Sequence, residues 1–292
     1  MLETNSEYQA LSYSISTAPC CAGQPFAFGH SMSFNLKSSA VFIALVGSAF
    51  LCHVAYAEDN DSPAGLKATP YRPTVSNPAD LPVPRHLEWE AGGLFTDDRE
   101  HIRRNSIPFL LKYALNEDFG ILVGGDSFVS DHANGSTDTG WGDTNLVAKY
   151  HYAISNSTAL GVEAGAKLPT AASDLGSGHT DFTLNGIVST QVNDFDIDVN
   201  ASYTRLGRSD EGASRGVFGW AVAAARDIAR QWTLSGELSG THQGGVPSAT
   251  QFLGALSYTA QPNVVLDGGG LAGLNRGAPR YGLFAGLTVL IR

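Results

Sequence analysis

The sequence predicts an all-β fold: an antiparallel, up-and-down transmembrane β-barrel of about 12 strands, preceded by a signal peptide and a Pro-rich segment. Three observations predict it. The first is alternation. From Asp181 to Leu206, Phe182, Leu184, Gly186 and Val188 share one face, and after a turn at Val192-Asn193-Asp194 so do Phe195, Ile197, Val199, Ala201 and Tyr203. The opposite faces carry Thr183, Asn185 and Ser189, then Asp196, Asp198, Asn200, Ser202 and Thr204, with Ile187 out of phase. Side chains alternate along a strand, so this is a hairpin with one apolar and one polar face. The second is length: each arm runs about ten to twelve residues, where a usual strand has about five or six and a tilted bilayer-crossing strand needs roughly nine to eleven. The third is the rhythm of connections, in which short turns alternate with longer polar loops, as they do in outer-membrane barrels.

Composition narrows the alternatives. The 292 residues carry a net charge of −10, with 33 glycines and only 16% charged residues. The acidic balance argues against nucleic acid, whose phosphates are met by Lys and Arg. Cys20, Cys21 and Cys52 all precede the predicted strands. The folded part therefore has no disulfide framework or thiolate metal site, and neither metal nor cofactor is expected. No long apolar run follows Ala57, which excludes a helical membrane bundle, whereas the alternating faces of a barrel average to neutral hydropathy.

Taken in order, residues 1–31 are polar and aperiodic, an upstream extension. Residues 32–57 form a signal peptide: Lys37 is its basic residue, Ala40 to Val54 its apolar core, and Ala55-Tyr56-Ala57 its cleavage site. A single membrane anchor is the alternative; a lipoprotein cysteine fits poorly, because bulky Phe50 and Leu51 precede Cys52. Residues 58–86 hold Pro63, Pro70, Pro73, Pro78, Pro82 and Pro84, and proline withdraws backbone donors from both helix and sheet. A disordered leader is the plainer expectation for this segment, and a plug folded into the lumen the alternative.

Twelve strands are then expected at 87–95, 104–113, 119–129, 141–153, 158–168, 180–191, 194–206, 215–226, 230–241, 249–260, 263–273 and 281–291. Tight connections fall at Asn116-Glu117-Asp118, Ser155-Asn156-Ser157, Asn193, Asp227-Ile228-Ala229 and Gln261-Pro262; longer ones include Ser130 to Gly140 and Pro169 to Gly178. Both ends of the barrel sequence therefore fall on the short-turn rim. Tyr113, Phe119, Tyr152, Phe195, Trp232 and Tyr258 lie at short-turn ends, and Phe95, Phe182, Tyr203 and Tyr281 near long-loop ends, all in phase with the apolar face. Such aromatic girdles meet lipid headgroups at both interfaces. The strand at 215–226 is the weakest, being apolar on both faces from Val217 to Ala225.

The opposite phase gives the residues expected to line the lumen: Glu88, Glu90, Lys112, Lys149, His151, Glu163, Lys167, Asn185, Asp196, Asp198, Glu237 and Asp267. Any one of them could simply brace the wall in an ion pair. As a set they predict a hydrated, mixed-charge interior, because charge at mid-strand persists only where water or a partner meets it. Eight strands leave room for side chains alone and about sixteen leave an open channel, so twelve predict a narrow or partly occluded pore.

Trp141-Gly142-Asp143-Thr144-Asn145-Leu146 with Lys149-Tyr150, then Lys167-Leu168-Pro169-Thr170 and Gly176-Ser177-Gly178 before Asp181, resemble the outer-membrane transporter family labelled "MetA-pathway of phenol degradation". The resemblance covers roughly 87–292, with its specific motifs at 141–181. Ala171 departs from the family's usual Gly, and Ile291-Arg292 from its aromatic ending. It implies a channel-like barrel for small, including aromatic, compounds and no catalytic residue.

The expected function is passive passage of small solutes, with outer-membrane lipid and the barrel-assembly machinery as the other partners, in the outer membrane of a Gram-negative bacterium. Pro169, Thr170, Ser177 and His179 belong to a loop expected to constrict the outer mouth, with Lys167 just inside. An enzymatic alternative, a lipid hydrolase, would need a nucleophile–base–orienter set; Ser177, His179 and Asp181 are the trio to test, while His151 and Ser155 lie near the other rim. An adhesive or structural barrel without traffic and a secreted β-sandwich are the remaining alternatives.

Overall fold

The computed structural model describes residues 66–99, 102–133, 135–172 and 175–291. The predicted extension and signal peptide lie outside the described residues. The strands are β1 (Leu87–Asp97), β2 (Arg103–Ala114), β3 (Phe119–Ala133), β4 (Ser136–Gly140), β5 (Thr144–Ser155), β6 (Thr158–Leu168), β7 (Asp181–Val192), β8 (Phe195–Arg205), β9 (Gly216–Ala229), β10 (Trp232–Gln243), β11 (Ala249–Gln261), β12 (Val264–Gly273) and β13 (Tyr281–Ile291). All strand pairings are antiparallel and run between chain neighbours, except that β5 pairs with β3 and β4 lies outside the ring; β1 closes on β13 from Leu87↔Ile291 to Asp97↔Tyr281. Closure satisfies the backbone of every wall strand on both sides, the condition for a sheet to stand in hydrocarbon.

Twelve strands form the wall, and the thirteenth, β4, extends it. β3 is long enough to pair twice: its end meets β4 from Val129↔Gly140 to Ala133↔Ser136, and its start meets β5 from Phe119↔Tyr150 to Gly125↔Thr144. Trp141-Gly142-Asp143 interrupts what would otherwise be one strand. The loop expected at Ser130 to Gly140 is therefore a hairpin standing above the wall. Gly135, at φ +82°, takes the left-handed conformation its turn requires. At the opposite rim, Asn193 (φ +54°) turns β7 into β8 in the same way.

The wall is apolar outside and polar within. Leu184, Val188, Val199, Val222, Leu234, Leu256, Leu266 and Leu283 are exposed, whereas Glu88, Glu163, Glu237 and Thr288 are buried. The girdle aromatics face outward, with Trp232 and Tyr258 paired at 4.9 Å on the short-turn rim and Phe95 and Tyr281 at 5.9 Å on the other. β9 resolves by size: Phe218 and Val222 point out, while Val217, Ala221 and Ala223 are buried inside.

The described part of the chain before β1 is not a free leader, and residues 58–65 of the Pro-rich segment lie outside the described residues. Residues 67–86 lie inside the barrel, bonded to side chains on β1, β6, β8, β10 and β12. Ile187, the break in alternation, is the wall residue that packs on Ala79 of this plug.

In a phosphatidylcholine bilayer, Val188→Arg on the outward midpoint of β7 is expected to cost about 2–4 kcal/mol of unfolding free energy, and Val192→Arg at the rim about 0–1 kcal/mol. Urea unfolding from liposomes measures both; equal costs would contradict an outward apolar band.

Candidate functional site

The site is built by inward-phase side chains of many strands converging on one strandless segment. Glu88 and Glu90 of β1 lie beside Lys112 of β2, with Lys112 Nζ 2.6 Å from Glu88 Oε1 and also bonded to Glu90. Lys149 of β5 pairs with Glu163 of β6 at 3.1 Å. These pairs do not satisfy all the oxygens and protons, and burying the remainder would cost several kcal/mol per ion, about as much as attraction returns. The plug supplies what is missing. Thr69 N donates to Glu88, Tyr71 N (2.7 Å) and Arg72 N (3.1 Å) to Glu90, and Ser76 N to Glu237 at 2.7 Å. Asn77 donates its side-chain amide to both oxygens of Glu163 and its backbone N–H to Asn200, and Ala79 N reaches Ser189 Oγ at 2.7 Å. In return Lys112 and Lys149 donate to the carbonyl oxygens of Thr69 and Pro78.

Two plug side chains reach deepest. Arg72 forms a bidentate pair with Asp267, Nε and Nη2 each 3.0 Å from one carboxylate oxygen. Tyr71 lies between the two ammonium groups, its ring centroid 3.8 Å from Lys112 Nζ and 4.1 Å from Lys149 Nζ, a double cation–π contact. Its hydroxyl donates to Asp80 O at 2.6 Å. Burial, and then the nearby carboxylates of Glu163, Glu90, Glu88 and Asp80, push the phenol well above its ordinary value, so it stays a donor.

A second constellation sits at the long-loop rim. Asp143, in the break between β4 and β5, accepts from Ala171 N (3.1 Å) and Ser177 N (3.3 Å). Lys167 bridges Asp143, Asp181 and the Ser177 hydroxyl, and Trp141 Nε1 donates to Thr170 O at 2.9 Å. Residues that looked like a signature are thus the fastenings of the loop after β6. Pro169 and Thr170 are exposed there. The Ser177 hydroxyl donates to the carbonyl oxygen of His179 rather than to its ring, and Asp181 accepts from Gly207 N. The trio makes a turn, with the Ser177 hydroxyl and the Asp181 carboxylate engaged by Lys167 and by backbone groups.

The remaining predicted residues lie towards the short-turn mouth. Asp198 accepts from Ser189. Asp196 is exposed at the rim and accepts from Gln191 at 3.1 Å. His151 reaches Ala79 O at 3.2 Å and borders a cleft of about 250 Å³ lined also by Thr69, Asp80, Pro84 and Glu117. Inside, Asn185 joins Glu163 to Asn200. Sequence reasoning missed Tyr71, Arg72, Ser76 and Asn77, and also Arg104 of β2, buried against Asp126 and Asp131.

Glu163→Ala leaves Lys149 buried without its carboxylate and is expected to cost about 3–5 kcal/mol, while Lys149→Met with Glu163→Leu costs less than either charge removed alone. Equilibrium unfolding in urea measures this. Alkaline titration of tyrosinate absorbance tests the plug. Folding raises the phenol's value, so its stabilisation is complete below about pH 10 and is lost as pH climbs towards the raised value. Tyr71→Phe should remove only the last-titrating group.

The family described as "Putative MetA-pathway of phenol degradation" matches residues 72–292, from Arg72 of the plug through the barrel. The outer-membrane channel COG4313 from Pseudomonas putida F1 superposes with a TM-score of 0.58 at 14% identity, over 79% of this chain and 99% of that one. The KdgM porin in complex with disordered oligogalacturonate gives 0.50 at 12% identity, over 70% and 99%. At these identities the likeness is one of fold. No curated protein matches the chain. A wall that is apolar outside, polar inside and closed edge to edge thus accompanies a family match over most of the sequence: the chain belongs to the family described as "Putative MetA-pathway of phenol degradation", here folded as a closed antiparallel β-barrel.

Proposed function

We propose that the protein is a narrow outer-membrane channel through which small solutes pass passively, with residues 67–86 as its gate. The observation that carries this reading is the way the lumen is filled. Between the inward side chains of the wall lies a tethered segment without secondary structure, held mainly by hydrogen bonds to wall carboxylates. A dedicated core would be apolar. Bonds of this kind exchange with water when the segment withdraws, so their net contribution is only about 0.5–1.5 kcal/mol each, or about 1.5–3 to a charged group.

The solute class rests on two supports. The family description concerns phenol degradation. The long-loop half of the interior also carries an apolar face of Leu94, Leu253, Ala255, Leu271 and Phe284, which suits small aromatic compounds better than sugars. The charged half below it, with Glu88, Glu90, Lys112, Lys149, Glu163, Glu237 and Asp267, would admit such a solute only by its polar groups. In this reading the loop around Pro169, Thr170, Ser177 and His179 is a fixed constriction, because Asp143, Lys167 and Trp141 hold it.

Locking the plug tests the proposal. Ala79 N donates to Ser189 Oγ at 2.7 Å, so Ala79→Cys with Ser189→Cys is the pair chosen to cross-link the plug to the wall. With Cys20, Cys21 and Cys52 replaced by Ser, the oxidised protein is expected to be closed in planar bilayers and to regain at least about tenfold conductance on reduction. Equal conductance in both states would show that transport needs no movement of the plug.

A further inference from the structure

We infer that Asp267, with the bare backbone faces of Gly92 and Gly286, forms a guanidinium-binding site on the inner wall, and that Arg72 is its resident ligand. The three wall residues lie in one row across β1, β13 and β12: Gly92 pairs with Gly286, and Gly286 with Asp267. Two glycines side by side leave a flat floor, and the carboxylate stands at its edge. The Arg72 guanidinium lies on that floor. A Cβ on Gly92 would come within 2.7 Å of Nη2, and one on Gly286 within 2.6 Å of Nε and Nη2. Its edge meets Asp267 through two parallel bonds of 3.0 Å, with side-chain exposures of 6% for Arg72 and 2% for Asp267.

This shape selects for chemistry as well as charge. A planar fork matches a carboxylate at two points and stacks flat, whereas an ammonium is a compact point charge that uses neither the second bond nor the floor. The ligand sits on the plug, which has no ladder pairing to the wall apart from the isolated bridge Pro84↔Ala114. When the plug withdraws, Asp267 is left as an inner-wall carboxylate with a guanidinium-shaped floor beside it. Solutes bearing an alkylguanidinium group are the class that fits. Tethering keeps Arg72 at high effective concentration, so the site is accessible to a free ligand only when Arg72 is removed or displaced. The inference depends on the channel reading for access alone, and its test does not require conduction.

The test uses the full-length Arg72→Ala variant in detergent micelles, with the temperature of the heat-modifiable gel shift as readout. Methylguanidinium is expected to raise that temperature with half-saturation at about millimolar concentration, a range open to so small a ligand. Methylammonium should be at least about tenfold weaker. The response should vanish in Arg72→Ala/Asp267→Asn, which removes the carboxylate charge and leaves the glycine floor in place. Equal responses to the two cations, or a response that survives Asp267→Asn, would overturn the site. Should Arg72→Ala refold poorly from urea, refolding yield becomes the readout: restoration by methylguanidinium and not by methylammonium supports the site, and restoration by neither overturns it. An unlocked plug that fails to conduct would count against the channel and leave this result standing.

Discussion

The closed ring of backbone hydrogen bonds is the constraint from which the rest of the structure follows. In hydrocarbon no strand can leave a donor or acceptor unpaired, so β1 must meet β13 and the wall must be circular. Twelve strands then fix a circumference between the eight that side chains alone fill and the sixteen or so that leave an open aqueous channel. Inward charges at mid-wall, such as Glu90, Glu237 and Asp267, therefore take partners from a third party. Residues 67–86 fill that role because of their prolines: Pro70, Pro73, Pro78, Pro82 and Pro84 keep the segment out of helix and ladder, so its remaining N–H groups are free to donate to side chains. The N–H groups of Thr69, Tyr71, Arg72, Ser76, Asn77 and Ala79 all do so.

The interior is also layered. Towards the short-turn rim the wall presents Glu88, Glu90, Lys112 and Lys149 to the plug, which binds them through backbone amides, carbonyls and the Tyr71 ring. Towards the long-loop rim, β1, β11, β12 and β13 turn Leu94, Leu253, Leu271 and Phe284 inward. On the other side of that layer, Arg104 with Asp126 and Asp131, and Lys167 with Asp143 and Asp181, brace the wall and its loop. A solute crossing from one rim to the other would meet an apolar surface and a charged one in succession.

Most of the wall was legible in the sequence, because its signal is local. Alternation, ten-residue strands and alternating short and long connections are properties of neighbours along the chain, and strands such as β6 and β12 fall within a residue or so of where periodicity places them. The β3–β4 hairpin escaped for want of weight on Asn134-Gly135, a strong hairpin signal set among polar residues rather than alternating hydrophobics. The site was legible only by half. Phase identified Glu88, Lys112, Lys149, Glu163, Glu237 and Asp267 as inward, yet phase says nothing about what lies opposite them. Arg72 and Asp267 are 195 positions apart, and no local pattern links them. Beside the prolines, a local trace of the plug was Ile187, an apolar residue in a polar phase, and it marks one point where Ala79 packs on the wall. Read alone it is a blemish in a strand; beside a proline-rich segment with nowhere else to fold, it is evidence of an internal partner.

The chemistry holding the plug separates it from an ordinary core. An apolar insert would gain about 25 cal/mol for each Å² removed from water and would lose all of it on leaving. A polar insert behaves differently: when it withdraws, water replaces each amide on Glu90 and Glu237 and each carboxylate on the plug's donors, so most of the gross energy is recovered. What water does not reproduce is geometry, namely the fork of Arg72 on Asp267 and the ring of Tyr71 between two ammonium groups. The many bonds to wall carboxylates stand in for water while the segment is in place. The few shaped contacts at residues 71 and 72 decide where it rests. If the segment moves as proposed, the wall keeps its charges by exchanging these bonds for water, and the contacts of Tyr71 and Arg72 are the ones it gives up.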